Sequence, residues 1–187
     1  MEQIDLLRRL IAVLEAQGIP YFLVGSIASG VFGEPRMTRD IDVVVDLTPG
    51  DVDRLCAEFP APEFYVSLPA AQTAAAKGGQ FNVIHPASGN KIDFMILRHD
   101  AWGKSQLARR TKVPILVELP GYLASPEDII LSKLHYYQIG ESEKHLRDIT
   151  GMLQLLKDRV DVAYLQEWTL RLGLLAEWEM VKQRLKP

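Results

Sequence analysis

One apolar segment near the start of the chain constrains the fold more than any other. Residues 40–47, DIDVVVDL, are apolar on both faces after Asp42, a pattern typical of a central strand that is covered on both sides. Asp40 and Asp42 nevertheless stand at the mouth of this strand, and a carboxylate removed from water is costly unless it is paired or bound to a metal. The segment therefore predicts a buried sheet and a specific role for the charge at its edge.

The pattern around this strand predicts an α+β fold, with a mixed β-sheet flanked by helices. The runs FNVIH and KIDFMIL are β-rich and are separated by the turn-forming residues PASGN, which predicts an antiparallel hairpin. The predicted strands are residues 21–25, 40–47, 63–68, 81–85, 91–97 and 114–119. The predicted helices of this part of the chain are residues 2–17, 26–33, 50–59 and 69–79.

From residue 125 onward the pattern is helical only. Ser125 is placed as an N-cap, with Pro126 at the first helical position and Asp128 at the third, which predicts the start of a helix that reaches about residue 138. Apolar stripes predict further helices through about residue 157 and over residues 161–172 and 174–185. We therefore expect a domain over residues 1–124 and a C-terminal helical extension over residues 125–187 packed on it.

Composition excludes several classes of protein. The net charge of −3 and the pI of about 5.8 are not those of a strongly basic polyanion-binding protein. The single cysteine, Cys56, leaves no internal disulfide framework and falls in the apolar register of a predicted helix, where a buried inert thiol is expected. No apolar run approaches the roughly 18 residues that span a bilayer. A cytoplasmic protein that does not enter a membrane is expected.

Three aspartates and a glycine–serine pair carry the predicted chemistry. Asp40 and Asp42 point to the same face of their strand, about 7 Å apart along the chain, and Asp93 lies in another β-rich run. Hard cations such as Mg²⁺ relieve the mutual repulsion of such carboxylates. Gly25 and Ser26 follow the first strand, where backbone N–H groups and a hydroxyl can hold phosphate oxygens. The residues predict phosphoryl or nucleotidyl transfer at one site.

These residues resemble the signature of the DNA polymerase β-like nucleotidyltransferase superfamily. Gly25-Ser26 is followed by thirteen residues and then by the acidic pair Asp40 and Asp42, and Asp93 matches the third carboxylate of the superfamily. The segment RMTRDID is most similar to a small prokaryotic subgroup related to abortive-infection toxin nucleotidyltransferases. The resemblance implies a nucleotidyltransferase-like catalytic domain over residues 1–124.

The resemblance also implies the role of each residue. Asp40, Asp42 and Asp93 would ligate Mg²⁺ or Mn²⁺ as catalytic and metal-binding residues. Gly25 and Ser26 would hold the triphosphate of an NTP. Lys133, on the helix that follows Ser125, matches a lysine of the subgroup and would neutralise triphosphate charge, although a lysine that only covers the edge of the core is an open alternative.

Several further residues have two open interpretations each. Arg36, Thr38 and Arg39 precede the metal pair, and Arg39 is the one assigned to NTP binding, with a solvated loop role equally open for each. The pair Arg147 and Asp148 matches the subgroup, and a surface ion pair is the alternative. The basic segment 98–112 is interpreted as an acceptor-RNA patch or, preferably, as a solvated helix face.

The acceptor is left open by the sequence. A tRNA or another RNA, a protein or a small alcohol each supplies a hydroxyl, and an antitoxin-like partner protein follows from the resemblance to toxins. The alternative function is a catalytically silent nucleotidyltransferase-like module that binds a nucleotide or a partner. A dinucleotide site is disfavoured because Gly25, Gly30 and Gly33 miss the G-x-G-x-x-G spacing.

Overall fold

A mixed sheet forms the centre of the molecule. The computed structural model describes residues 1–33, 38–116 and 119–185. The strands in these parts are β1 (Tyr21–Leu23), β2 (Asp40–Val45), β3 (Tyr65–Val66), β4 (Gln80–His85), β5 (Asn90–Ile96), β6 (Thr111–Leu116) and β7 (Leu119–Leu123). Their order across the sheet is β3-β4-β5-β2-β1-β7-β6, so β2 is central, as predicted.

Helices flank this sheet and make up the rest of the chain. They are α1 (Gln3–Gln17), α2 (Gly25–Phe32), α3 (Val52–Ala57), α4 (Leu68–Lys77), α5 (Ala101–Arg109), α6 (Pro126–Gly140), α7 (Glu143–Leu156), α8 (Val162–Arg171) and α9 (Leu175–Arg184). The predicted start of α6 is confirmed, because the Ser125 hydroxyl accepts a hydrogen bond from the backbone N–H of Asp128. The α+β class is confirmed as well.

Strand β2 has one core face and one polar face. Ile41, Val43 and Val45 are fully buried, whereas Asp40 and Asp42 on the other face are only partly buried. The same alternation continues in β5, which runs parallel to β2. Helix α2 packs against β2, and α6 packs against α2 and α7. The polar ends of β2 and β5 therefore lie at the border between the sheet and the helical part of the molecule.

Two strand predictions differ from the structure. Residues 63–68 were expected to form a strand, but only Tyr65 and Val66 do so. The single strand predicted over residues 114–119 is replaced by the antiparallel pair β6 and β7. Pro120 and Gly121 conceal β7 in the sequence, since both residues usually interrupt strands. A side chain at Gly121 would come within 2.6 Å of Ile115 and 3.0 Å of Ile11, so close packing explains the glycine.

The helical part of the chain from α6 onward packs as a connected group. Helix α6 contacts α7, α8 and α9, and α7 contacts α9. The division of the chain between residues 124 and 125 stays a prediction. None of the helices in the described parts of the chain has the length and apolarity that a membrane span requires.

Candidate active site

Strand register brings the three predicted aspartates together. Strands β2 and β5 are parallel neighbours, and Asp42 lies directly opposite Asp93 in this ladder. Asp40 lies opposite Lys91, two positions earlier on each strand and on the same face. Neighbouring strands are about 4.8 Å apart. The register therefore forms a compact block of three acidic side chains and one basic side chain, which we call the carboxylate cluster: Asp40, Asp42, Lys91 and Asp93.

The surroundings of Asp42 in the carboxylate cluster disfavour its ionised form. Burial raises the pKa of Asp42, and the negative charges of Asp93 and Asp40 raise it further. The positive charges of Lys91 and Lys133 act in the opposite direction. Asp42 is thus a carboxylate whose ionised form would gain from an additional cation.

Lys91 is the protein's own cation in this cluster. Its ammonium nitrogen lies 2.7 Å from Oδ2 of Asp93 and 3.7 Å from Oδ1 of Asp40. The hydrogen bond to Asp93 raises the pKa of Lys91 and keeps the side chain protonated. One ammonium therefore bridges carboxylates from two strands.

The N-terminus of α2 lies directly against Asp42. Gly25, the first residue of α2, has a φ of +64°, and a Cβ placed there would lie 1.9 Å from Oδ2 of Asp42. Only glycine fits this close approach without a shift of the carboxylate. Ser26 follows in the first helical turn and is buried. The helix end that was predicted to hold phosphate therefore lies beside the carboxylate cluster.

Lys133 also belongs to this region. Its ammonium nitrogen lies 2.6 Å from Oδ2 of Asp148 on α7, and the two side chains are only 6% and 13% exposed. Its charge lowers the pKa of Asp42, which shows electrostatic proximity to the carboxylate cluster. Asp148, which was considered as a surface partner of Arg147, pairs with Lys133 instead, while Arg147 is exposed.

The residues just before Asp40 and Asp42 have different surroundings. The Thr38 hydroxyl accepts a hydrogen bond from the backbone N–H of Asp40 at 3.2 Å, which organises the start of β2. Arg39 is exposed, and its guanidinium lies beside Gly89 in the turn between β4 and β5. The structure does not bring Arg39 together with the three aspartates, and its role in NTP binding stays a prediction. Arg36 lies outside the described residues.

The donor set of the carboxylate cluster suits a divalent cation. Carboxylate oxygens are the ligands that Mg²⁺ and Mn²⁺ prefer, and Lys91 already places a positive charge between two of these carboxylates. Within the described residues, no group of three or more His, Cys, Asp or Glu side chains forms a ready-made metal site. Asp40, Asp42 and Asp93 therefore suit a cation by the chemistry of their oxygens and by their place on one face of two adjacent strands, but their side chains are not arranged as a formed metal site.

Sequence reasoning missed three residues of the site. Lys91 lies two residues before Asp93 on the same strand, so both side chains are on one face of the sheet. Tyr136 lies one helical turn after Lys133. Burial is the main cause that raises the pKa of its phenol, and the negative charges of Asp42 and Asp93 raise this pKa further. Asn82 on β4 lies opposite Asp93 in the register. A search for polar residues at these spacings would have found Lys91 and Tyr136.

A pocket of roughly 250 Å³ adjoins the carboxylate cluster at the β4 side. It lies between the start of α4 and strands β4 and β5. Its lining residues are Ser67, Ala70, Gln80, Phe81, Asn82 and Asp93. The pocket thus shares Asp93 with the cluster and offers amide and hydroxyl groups to a ligand.

Two other features of the sequence have structural explanations. Cys56 is buried, and this burial raises the pKa of its thiol, as expected for an inert cysteine. The basic side chains of residues 98–112 largely interact with the protein itself. These contacts are the ion pairs Arg98–Asp100, Arg109–Glu127 and Lys112–Glu15, and the cation–π contact of Arg110 with Tyr122. They favour a structural role for this segment over an RNA-binding patch.

Known structures with the same architecture are nucleotidyltransferase-type proteins. No protein-family model and no curated protein sequence matches the chain. ANT(2'')-Ia in complex with adenylyl-2''-tobramycin superposes with a TM-score of 0.60 at 14% identity over 98% of this chain and 99% of that chain. An antigenic nucleotidyltransferase-like protein from Paracoccidioides brasiliensis has a TM-score of 0.55 at 20% identity, with coverages of 95% and 92%. The lincosamide antibiotic adenylyltransferase LnuA, lincomycin-bound, has a TM-score of 0.55 at 12% identity, with coverages of 80% and 95%. The chain therefore has the fold of these nucleotidyltransferase-type structures.

Proposed function

We propose that the protein transfers a nucleoside monophosphate from an NTP to an acceptor hydroxyl and releases pyrophosphate. One observation carries the proposal: Asp42 lies opposite Asp93 in the sheet and also against Gly25 at the N-terminus of α2. A carboxylate cluster that suits cations and a helix end that suits phosphate thus share one centre. Nucleotidyl transfer requires both at the same place.

Each residue of the site has a role in this reaction. Mg²⁺ or Mn²⁺ bound by Asp40, Asp42 and Asp93 would polarise the phosphoryl oxygens and lower the pKa of the acceptor hydroxyl. The amides at the start of α2 and the Ser26 hydroxyl hold the triphosphate, and Lys133 compensates part of its charge. Asp93 receives the hydroxyl proton as the acceptor oxygen bonds to the α-phosphorus. The bond from this phosphorus to the bridging oxygen breaks, and pyrophosphate leaves with the electron pair.

The sheet order suggests where the acceptor enters. Helix α2 follows β1, on one side of β2, whereas Asp93 and Asn82 lie on β5 and β4, on the other side. In an in-line displacement the attacking and leaving oxygens are on opposite sides of the phosphorus. With the triphosphate at α2, the acceptor approaches from the pocket beside Asp93.

The structural neighbours suggest the first acceptors to offer. One is in complex with adenylyl-2''-tobramycin and another is an adenylyltransferase with lincomycin bound. We therefore rank small hydroxylated molecules first and a tRNA, another RNA or a protein second. The toxin-related subgroup and an antitoxin-like partner stay predictions.

The test is transfer of label from each α-³²P-labelled NTP in the presence of Mg²⁺ or Mn²⁺. Cell extract separated into small molecules, RNA and protein supplies the acceptors. Asp42→Asn and Asp93→Asn remove single carboxylates of the cluster at constant shape. Asp46→Asn is the matched control, because Asp46 follows the same strand but lies beyond the cluster. Transfer by the wild type and by Asp46→Asn, and not by the other two variants, is the expected result.

The experiment also separates the enzyme from the catalytically silent module. Transfer that persists in Asp42→Asn and Asp93→Asn would contradict the assigned site. Metal-dependent NTP binding by calorimetry without transfer to any fraction would favour the silent module. Absence of both binding and transfer would refute the proposed function.

A further inference from the structure

We propose that Lys91 is a built-in counter-ion of the carboxylate cluster, which a divalent cation displaces when it binds. The inference rests on the proposed function, because it concerns the same three aspartates. It assigns to Lys91 a role in tuning metal affinity and in stabilising the metal-free protein. Lys91 is a positioning residue in this role, since it acts through the carboxylates.

The register gives Lys91 its position. Lys91 lies opposite Asp40 across the parallel ladder and two residues before Asp93 on its own strand. Both neighbours therefore share its face of the sheet. The ammonium nitrogen uses this position to contact both, at 2.7 Å from Asp93 and 3.7 Å from Asp40. It thus lies among the oxygens that a metal ion would need.

The charges of the cluster require such a counter-ion. Asp40, Asp42 and Asp93 would otherwise concentrate three negative charges at the ends of two adjacent strands, and like charges at this distance destabilise the fold. Lys91 cancels one of them. Its removal from a metal-free protein should therefore be more harmful than the removal of an ordinary surface lysine.

Solvent exposure makes this counter-ion exchangeable. The side chains of Lys91, Asp40 and Asp93 are 35%, 45% and 25% exposed. An ion pair that is open to water contributes little net stability, and a lysine can move its strongly hydrated ammonium on a flexible stem. The Lys133–Asp148 pair is far less exposed. Of these two lysines near Asp42, Lys91 is the one suited to leave.

The two roles of Lys91 predict that Lys91→Met lowers the stability of the metal-free protein but raises its affinity for metal. Without metal, the variant loses its counter-ion, and its melting temperature should fall by about 2–4 °C, the shift expected when a partly exposed ion pair is lost from a protein of this size. With metal, the variant lacks a competing positive charge. Its Mn²⁺ dissociation constant should fall by about fivefold to tenfold, as one nearby charge near the surface would produce.

The test compares four forms of the full chain: wild type, Lys91→Met, Lys91→Arg and Lys104→Met. Lys104 is exposed on α5, which takes no part in the carboxylate cluster, so Lys104→Met controls for the loss of one positive charge. Lys91→Arg retains the charge and should behave more like the wild type. Mn²⁺ binding is measured by calorimetry, and thermal unfolding is measured in EDTA and in excess Mn²⁺.

Tighter Mn²⁺ binding by Lys91→Met, with a melting temperature that falls in EDTA and recovers in Mn²⁺, would support the inference. Equal or weaker Mn²⁺ binding by Lys91→Met than by Lys104→Met would overturn it. So would equal melting temperatures of these two variants in EDTA, and this readout does not depend on catalysis. Failure of every form to bind Mn²⁺ would instead refute the proposed function together with the displacement.

Discussion

At the scale of single residues, Gly25 and Asp42 depend on each other. Gly25 adopts a φ of +64° and leaves no room for a Cβ, because Oδ2 of Asp42 would lie 1.9 Å from it. The backbone conformation and the contact are separate requirements. The first concerns stability, and the second concerns the position of a carboxylate.

Gly25→Ala should therefore lose both stability and metal binding. The left-handed conformation alone costs about 1–2 kcal/mol for a residue with a Cβ, and the new methyl group also displaces the Asp42 carboxylate. Gly18→Ala is the matched control, since Gly18 has a φ of +65° with no atom within 4 Å of its Cβ position. Urea unfolding and Mn²⁺ calorimetry should show destabilisation in both variants but weakened Mn²⁺ binding only in Gly25→Ala. Equal Mn²⁺ binding by both variants would contradict the contact.

Asp42→Asn should stabilise the metal-free protein near neutral pH. Folding raises the pKa of Asp42 above its ordinary value of 3.8, mainly by burial and then by Asp93 and Asp40. Between pH 3.8 and the raised pKa, the folded state therefore binds more protons than the unfolded state. The free energy of unfolding falls as the pH rises through this range. The asparagine avoids this loss, so the variant should be more stable than the wild type in EDTA near neutral pH.

Urea unfolding in EDTA as a function of pH tests this sign. The advantage of Asp42→Asn over the wild type should shrink as the pH falls and should disappear well below 3.8, where Asp42 of the wild type is protonated in both states. Excess Mn²⁺ near neutral pH should stabilise the wild type more than the variant. A variant that is less stable than the wild type in EDTA near neutral pH would contradict the destabilising charge.

The acidic residues of the site were predictable from the sequence because a period of two identifies residues on one face of a strand. Asp40 and Asp42 were found in this way, Asp93 was found as an aspartate in a second β-rich run, and Gly25 was found from its place after a strand. The approach of Gly25 to Asp42 could not be predicted, since it depends on how α2 meets the sheet in three dimensions. Lys91 was accessible by the same periodicity, but a search for carboxylates does not select a lysine.

At the scale of elements, a charged pair joins α6 and α7. Lys133 on α6 and Asp148 on α7 lie 2.6 Å apart and are almost inaccessible to solvent. A buried pair of this kind contributes little beyond a well-packed apolar pair, but loss of one partner removes a charged contact from the other. The pair thereby fixes the Lys133 charge close to Asp42.

Lys133→Met should destabilise the protein by about 1.5–3 kcal/mol, the contribution of one hydrogen bond between charged groups, because it removes the ammonium that lies 2.6 Å from the carboxylate of Asp148. Lys133→Met/Asp148→Leu should recover part of this loss, since no buried charge remains at the pair. Both variants should bind MgATP more weakly than the wild type, because both lack the lysine. Urea unfolding and calorimetry measure the two effects. Recovery of MgATP binding in the double variant would show that Lys133 acts on stability alone.

Strong local signals explain which elements were predictable. Ser125 with Pro126 marks the start of α6, and the PASGN turn marks the β4–β5 hairpin, so both were found. Strand β7 was missed because Pro120 and Gly121 interrupt its local pattern, and its pairing with β1, in which Leu23 lies opposite Leu123, joins residues far apart in the chain. Such a contact is set by the whole sheet and leaves no local pattern.

At the scale of the whole molecule, a buried network links α5, α6 and α8. Asp128 of α6 has no solvent-exposed surface and accepts hydrogen bonds from Tyr164 at 2.8 Å, Trp102 at 3.2 Å and Ser125 at 2.8 Å. Burial raises the pKa of Asp128, and these hydrogen bonds act against that shift. Helices from distant parts of the chain thus converge on one side chain, which holds α6, and with it Lys133, in position.

Tyr164→Phe should reveal how much this network contributes. The variant keeps the ring but removes the hydroxyl that donates to Asp128, and a hydrogen bond to a charged group contributes about 1.5–3 kcal/mol. Ser105→Ala is the matched control, because the Ser105 hydroxyl lies 2.9 Å from that of Tyr164 and its removal leaves the bond to Asp128 intact. Urea unfolding should show a larger loss of stability for Tyr164→Phe than for Ser105→Ala. Equal losses would mean that Trp102, Ser125 and Arg109 hold Asp128 without help from Tyr164, and that α8 contributes only apolar packing to the position of α6.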